Sequence, residues 1–200
     1  MANRNTVGFG LIPTGTVGAT PATAGQGKYF IDAAYDKDLF QGTVVQSKVG
    51  YIKAAEATRT LLTIGILNGI FYNAATTLKP TFDNKYIQPI TPANSEDITA
   101  FVIDNPMQLF VGNLNAAAAQ ADFGRTVSMT QANPAGSTTS GQSSKKLDDA
   151  NIHDTNNQFR LLRSAEDPEN DENAANRSVV VAHNLNQYIR GSATAGATWQ

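Results

Sequence analysis

Short segments rich in β-branched and aromatic residues recur along this 200-residue chain, and Gly, Asn or Asp cuts each one off within a few residues. Segments 29–31, 42–46, 51–53, 60–66 and 70–73 follow one another at intervals of roughly 8–12 residues, the rhythm of a sandwich or barrel. Ile98–Ile103 and 107–111 continue it across a turn at Asp104-Asn105-Pro106. Segments 126–130, 159–163 and 177–183 close the series. No stretch sustains a 3.6-residue period long enough for an extended helix. The expected fold is all-β: a single barrel- or sandwich-like domain of short antiparallel strands, with one or two short helices. The helix candidates are the Ala-rich 115–121 and a segment at 144–152. Asn68-Gly69 carries the signal of a two-residue hairpin turn, and Val49-Gly50 that of a bulge or close backbone approach.

Residues 1–27 behave differently. Gly8, Gly10, Gly15, Gly18, Gly25 and Gly27, with Pro13 and Pro21, exclude a helix there. Val7, Phe9, Leu11 and Ile12 are nevertheless too apolar for a solvated tail. An extended N-terminal arm satisfies both facts, ordered either on a neighbouring surface or on its own domain. The β-rich domain then spans 28–190. It includes a low-complexity flexible loop at 132–146 and an acidic turn at 166–172, and a Gly/Ala/Thr tail follows at 191–200.

Two hundred residues can bury roughly 70% of the unfolded chain's surface, so a sizeable core is available. Charged residues make up only 16% and the net charge is −2. The basic residues are scattered, with Lys145-Lys146 the one adjacent pair, so no electrostatic footprint for nucleic acid exists. No window approaches a membrane span. The absence of cysteine removes disulfides, thiolate metal sites and thiol nucleophiles together. Asn, Gln, Ser and Thr fill the surface instead, which suits amide contacts among crowded copies without like-charge repulsion.

Motifs for catalysis are missing from the sequence. His153 and His183 are its only histidines, and Gly8-Phe9-Gly10 neither follows a strand nor opens a helix, as a phosphate-binding turn would. A non-enzymatic protein without a cofactor is expected. The sharpest site candidate is Asp167, Glu169 and Asp171 in EDPENDEN, whose alternating carboxylates suit calcium. The glycine and the closing glutamate of a twelve-residue calcium loop are absent. The favoured reading is therefore a solvated turn between Arg163 and Arg177, with no metal. Asp149 and His153 would share a face if 144–152 were helical, where a surface pair is the favoured reading over metal ligands. Tyr29, Phe30, Tyr51, Phe71, Tyr72 and Phe101 sit inside strand patterns and are expected to serve core and cross-strand packing rather than form a sugar-stacking platform.

The phrases GFGLIPTGTVG, PATAGQGKYFIDAAYDKDLFQGTVV, IGILNGIFYNAATTLKPTFDNKYI and TPANSEDITAFVIDNP, with FRLLRSAEDPENDENAANRSVVVAHNLNQY near the end, carry a resemblance over nearly the whole chain. The chain resembles the capsid-associated structural proteins, of decoration or cement type, of marine tailed bacteriophages. The resemblance implies a virion protein, synthesised in the host cytoplasm and placed on the capsid surface. Its implied partners are the major capsid protein and neighbouring copies of itself, in a homo-oligomer for which a trimer is one option. Val7, Phe9, Leu11 and Ile12 are the expected capsid contacts. An Asn/Glu-rich turn at 166–176 is longer than the family's pattern. The alternative is a head-fibre or tail adhesin that binds host surface glycan.

Overall fold

In a computed structural model, residues 3, 6–18, 25–55, 61–130, 136–153 and 156–189 are described. Fourteen strands run through them: β1 (Ile12–Thr16), β2 (Gly27–Ile31), β3 (Leu39–Phe40), β4 (Val44–Lys48), β5 (Tyr51–Ala54), β6 (Gly65–Asn73), β7 (Pro80–Asp83), β8 (Lys85–Tyr86), β9 (Ile98–Ile103), β10 (Gln108–Asn113), β11 (Thr126–Met129), β12 (Leu147–His153), β13 (Phe159–Ser164) and β14 (Ser178–His183). They form a sheet ordered β1-β10-β14-β13-β11-β12, a second ordered β2-β9-β6-β4-β5 with β7 also on β6, and a β3-β8 ribbon. All strand pairs are antiparallel. The architecture is sandwich-like. β5 lies near β2, but no ladder joins them, so the second sheet curls without closing into a barrel.

Two apolar cores follow from the period of two along each strand. One lies between the sheets, where Phe110, Phe159, Leu161, Val127, Val179 and Val181 meet Val44, Ile66 and Ile103. The other covers the opposite face of the second sheet, where Val45, Ile52, Leu67, Ile98, Ala100 and Val102 pack with Tyr35, Leu39 and Tyr86. Adjacent residues divide between the two: Val44 from Val45, Ile66 from Leu67, Val102 from Ile103. Each large side chain so enclosed contributes about 1.5–3 kcal/mol of hydrophobic stabilisation. Tyr86 is wholly buried because its hydroxyl donates to the Tyr35 carbonyl at 2.8 Å.

Several local expectations give way to tertiary contacts. Residues 115–119 are not helical; only Gln120–Asp122 makes a 3-10 turn, besides another at Ala93–Ser95. Leu114 and Ala118 are pulled into the inter-sheet core, and the Asn115 amide donates to the Leu147 carbonyl at 3.0 Å. These anchors outweigh an alanine propensity of a few tenths of a kcal/mol per residue. Segment 144–152 is likewise not a helix, since β12 occupies most of it. Asn68-Gly69 does not turn the chain; it lies inside the nine-residue β6, at a register shift opposite β9. The two-residue hairpin is at Val49-Gly50, with φ of 53° and 82°, between β4 and β5.

The loop expected at 132–146 is structured where it is described. The Gln41 amide donates to the Gly141 carbonyl and the Ser143 amide to the Gln41 carbonyl, both at 2.9 Å, and Ser143 and Lys145 are buried. Residues 131–135 and the tail at 190–200, with Trp199, lie outside the described residues.

Candidate functional site

The arm lies on its own domain. Asn3 is buried, and its Nδ2 donates to the carbonyls of Asp171 and Ala175 at 3.1 and 3.0 Å while its Oδ1 accepts from the Asp171 amide at 2.6 Å. Lys146 Nζ donates to the Thr6 carbonyl at 2.6 Å and to Asn176 Oδ1 at 2.7 Å. The Gly10 amide donates to the Lys145 carbonyl and the Leu11 amide to the Gly42 carbonyl. β1 then adds to the edge of the first sheet beside β10.

This threading divides the four expected capsid contacts. Leu11 is 1% exposed and belongs to the inter-sheet core, so it is not available to a partner. Its neighbour Ile12, on the opposite face of an extended chain, is 42% exposed, and Val7 is 68% exposed. Val7, Phe9 and Ile12 line one groove of about 720 Å³ on the outer face of the first sheet. The strand register builds its floor, since Ile12 pairs with Val111, Val111 with Val180, and Val180 with Arg163, in one row across β1, β10, β14 and β13. The adjoining row, Phe110, Val181 and Leu161, points inward to the core.

The acidic turn forms the far wall through Glu166 and Asp167. Its carboxylates face separate tasks. Arg163 Nη1 donates to Glu166 Oε1 at 2.7 Å, Asp167 Oδ1 accepts from the Glu169 amide at 3.0 Å, and Asp171 Oδ1 accepts from the Asn173 amide at 3.0 Å. Among the described residues no group of three or more His, Asp or Glu gathers as for a metal ion. Asn170 is the turn's plug: its Nδ2 donates to Ser164 Oγ, the Ala165 carbonyl and the Ser178 carbonyl, and its Oδ1 accepts from the Ser178 amide. Sequence reasoning set Asn170 alongside the acids as part of the oxygen-rich run, and no motif marked it as the residue that holds the turn.

The remaining candidates scatter. Asp149 and His153 lie on β12, where four residues span about 13 Å instead of one helical turn. His183 ends β14 with Nδ1 3.3 Å from Thr63 Oγ1, while its ring packs against Phe110 and Phe159 and Nε2 is buried without a hydrogen-bond partner among the described residues. Burial pushes its pKa down to about 4. Of the six aromatics expected in core and cross-strand packing none is fully buried, but Tyr29 and Tyr72 pack against the second core. Phe71 packs across the strand pair against its register partner, the 72% exposed Phe82, and Phe101 of β9 meets the same ring, with centroids 4.7 and 6.5 Å away.

Comparison with known proteins finds no matching family model, no similar curated protein and no similar solved structure.

Proposed function

We propose that this chain is a virion structural protein that decorates or cements the capsid shell of a tailed phage, with the arm groove as its contact surface. The observation that carries the reading is the placement of Val7, Phe9 and Ile12 along a single groove. Exposed apolar side chains gathered on a surface mark an interaction site more often than scattered ones do. Here Ile12 stands on a strand fixed by ladder hydrogen bonds, and the bonds of the Gly10 and Leu11 amides pin the segment that carries Val7 and Phe9, so little conformational entropy is lost on docking. Arg163, Glu166 and Asp167 give the groove a polar rim, as interfaces commonly have. The sequence resemblance to phage capsid-associated proteins supports the same reading. The partners are the major capsid protein and neighbouring copies, and many weak contacts repeated over a lattice would sum to a strong grip.

The test is co-sedimentation with expanded capsid shells that lack the protein. Stoichiometric pelleting of the full chain, reduced at least tenfold by Val7→Ser with Ile12→Ser, is the expected result. A folded protein that stays in the supernatant would overturn the reading and transfer the assignment to a fibre or tail component.

A further inference from the structure

A second recess lies away from the arm groove, where β2 approaches the β4–β5 hairpin. It encloses about 400 Å³ and is lined by Tyr29, Ser47, Val49, Gly50, Ile64, Gln187 and Tyr188. Three independent features make it a built site.

Its walls are held rigidly. Gln187 ties itself to β4 from both ends of its amide, accepting from the Ser47 amide at 2.9 Å and donating to the Ser47 carbonyl at 3.1 Å. The Gln187 amide donates to the Thr63 carbonyl at 2.9 Å, and the Tyr188 amide to Asn186 Oδ1 at 2.8 Å. The segment that presents Tyr188 is thus anchored on β4 and on the residues that lead into β6.

The phenols are also oriented from behind. Tyr29 Oη donates to Asp104 Oδ2 at 2.6 Å and meets the Tyr188 hydroxyl. Asp104 can approach only because Gly27 has no side chain; a Cβ there would fall 2.2 Å from Asp104 Oδ2. Burial, followed by the hydrogen bond to Asp104, raises the Tyr29 phenol well above its ordinary range, so it stays a protonated donor.

The third feature is a strained rim. Val49 occupies the left-handed region at φ 53°, and a β-branched residue there is a genuine outlier. The turn holds its side chain 72% exposed beside Tyr188, itself 57% exposed. Strain of this kind concentrates where a surface serves a purpose other than stability.

The lining chemistry selects the ligand. None of the seven residues carries a formal charge, and the only carboxylate in the arrangement stands behind the phenols, so an anion is disfavoured. A cation would meet the phenols without reaching Asp104 directly. Two rings and an aliphatic rim, with the Tyr188 hydroxyl oxygen and the second Nε2–H of Gln187 left over as polar edges, suit a molecule with apolar C–H faces and hydroxyl edges. We propose that the recess between Tyr29, Val49 and Tyr188 is a binding site for a neutral saccharide unit. The site is separate from the arm groove, so a decorating protein could hold the shell with one surface and a glycan with the other.

The test is binding of the full chain to a printed array of neutral, acidic and amino-bearing glycans, followed by calorimetric titration with the strongest neutral binder. The expected result is preferential binding of neutral glycans, weakened at least tenfold by Tyr188→Ala and by Val49→Gly, while both variants keep the circular dichroism of the original and still co-sediment with shells. No neutral glycan bound, binding untouched by both variants, or preference for cationic or purely apolar probes would each overturn the proposal. Loss of shell binding alone would count against the groove reading and leave the saccharide measurement standing.

Discussion

Arg177 Nη1 donates to the main-chain carbonyl of Ala118 at 2.7 Å, joining the start of β14 to the segment that follows β10. The same guanidinium reaches Ser164 Oγ at 3.2 Å and Glu172 Oε1 at 3.3 Å, and lies 5.1 Å from the centre of the Phe123 ring. Arg177 is 3% exposed, so one buried cation anchors the acidic turn, β13 and the Ala-rich segment together. Replacing it leaves buried acceptors without a donor. Arg177→Met is expected to cost about 2–4 kcal/mol in urea unfolding. Glu172→Gln should cost less than about 1 kcal/mol, because the Glu172 side chain is 65% exposed and its attraction is screened.

Protonation of His183 should make stability fall with pH. The folded pKa is about 4 against an ordinary 6.5, so between those values the unfolded chain binds more protons than the folded one. The contribution is fully present above pH 6.5 and is lost as pH falls through 4, by on the order of 3 kcal/mol. Urea midpoints at a series of pH values check this. His183→Gln should flatten that part of the profile, and an unchanged slope would show that other groups carry it.

Gly8 sits where a Cβ would fall 2.3 Å from the Ser144 carbonyl oxygen and 2.5 Å from that of Lys145. Both are main-chain atoms and cannot swing aside. Gly8→Ala should therefore lift the arm locally and leave the two cores intact. The expected outcome is faster proteolytic clipping near the N-terminus and weaker pelleting with shells, with little change in circular dichroism.

Val49→Gly removes the steric cost of a β-branched side chain at positive φ in the β4–β5 turn. The gain should be about 1 kcal/mol in thermal or urea unfolding, reduced by glycine's extra freedom in the unfolded chain. A more stable protein that binds saccharide less well would show the exchange of stability for function that a strained rim implies.

Calcium should leave the acidic turn unmoved. Asp167 and Asp171 cap their own turns and Glu166 is paired with Arg163. Millimolar calcium, and then chelator, should shift the melting temperature by less than about 1 °C. A larger, chelator-reversible rise would show that the carboxylates can regroup around the ion.

The strands at Ile98–Ile103, Gln108–Asn113 and Ser178–His183 were legible in the sequence, because their apolar runs and the Asp104-Asn105-Pro106 turn carry local signals. The all-β class follows from the same signals. Local pattern could not decide which of Val44 and Val45 faces the other sheet, nor that Leu11 would enter the core and turn Ile12 outward. Those choices depend on pairing partners nearly a hundred residues away, as with Ile12 and Val111. Asn68-Gly69 and Ala-rich 115–121 show the limit most plainly. Their propensities are worth about 1 kcal/mol or less per residue, and burying Leu67, Ile70, Leu114 and Ala118 outweighs them. The groove and the recess are likewise products of tertiary structure. Each gathers side chains from four or more separate segments, and no spacing along the chain records that convergence.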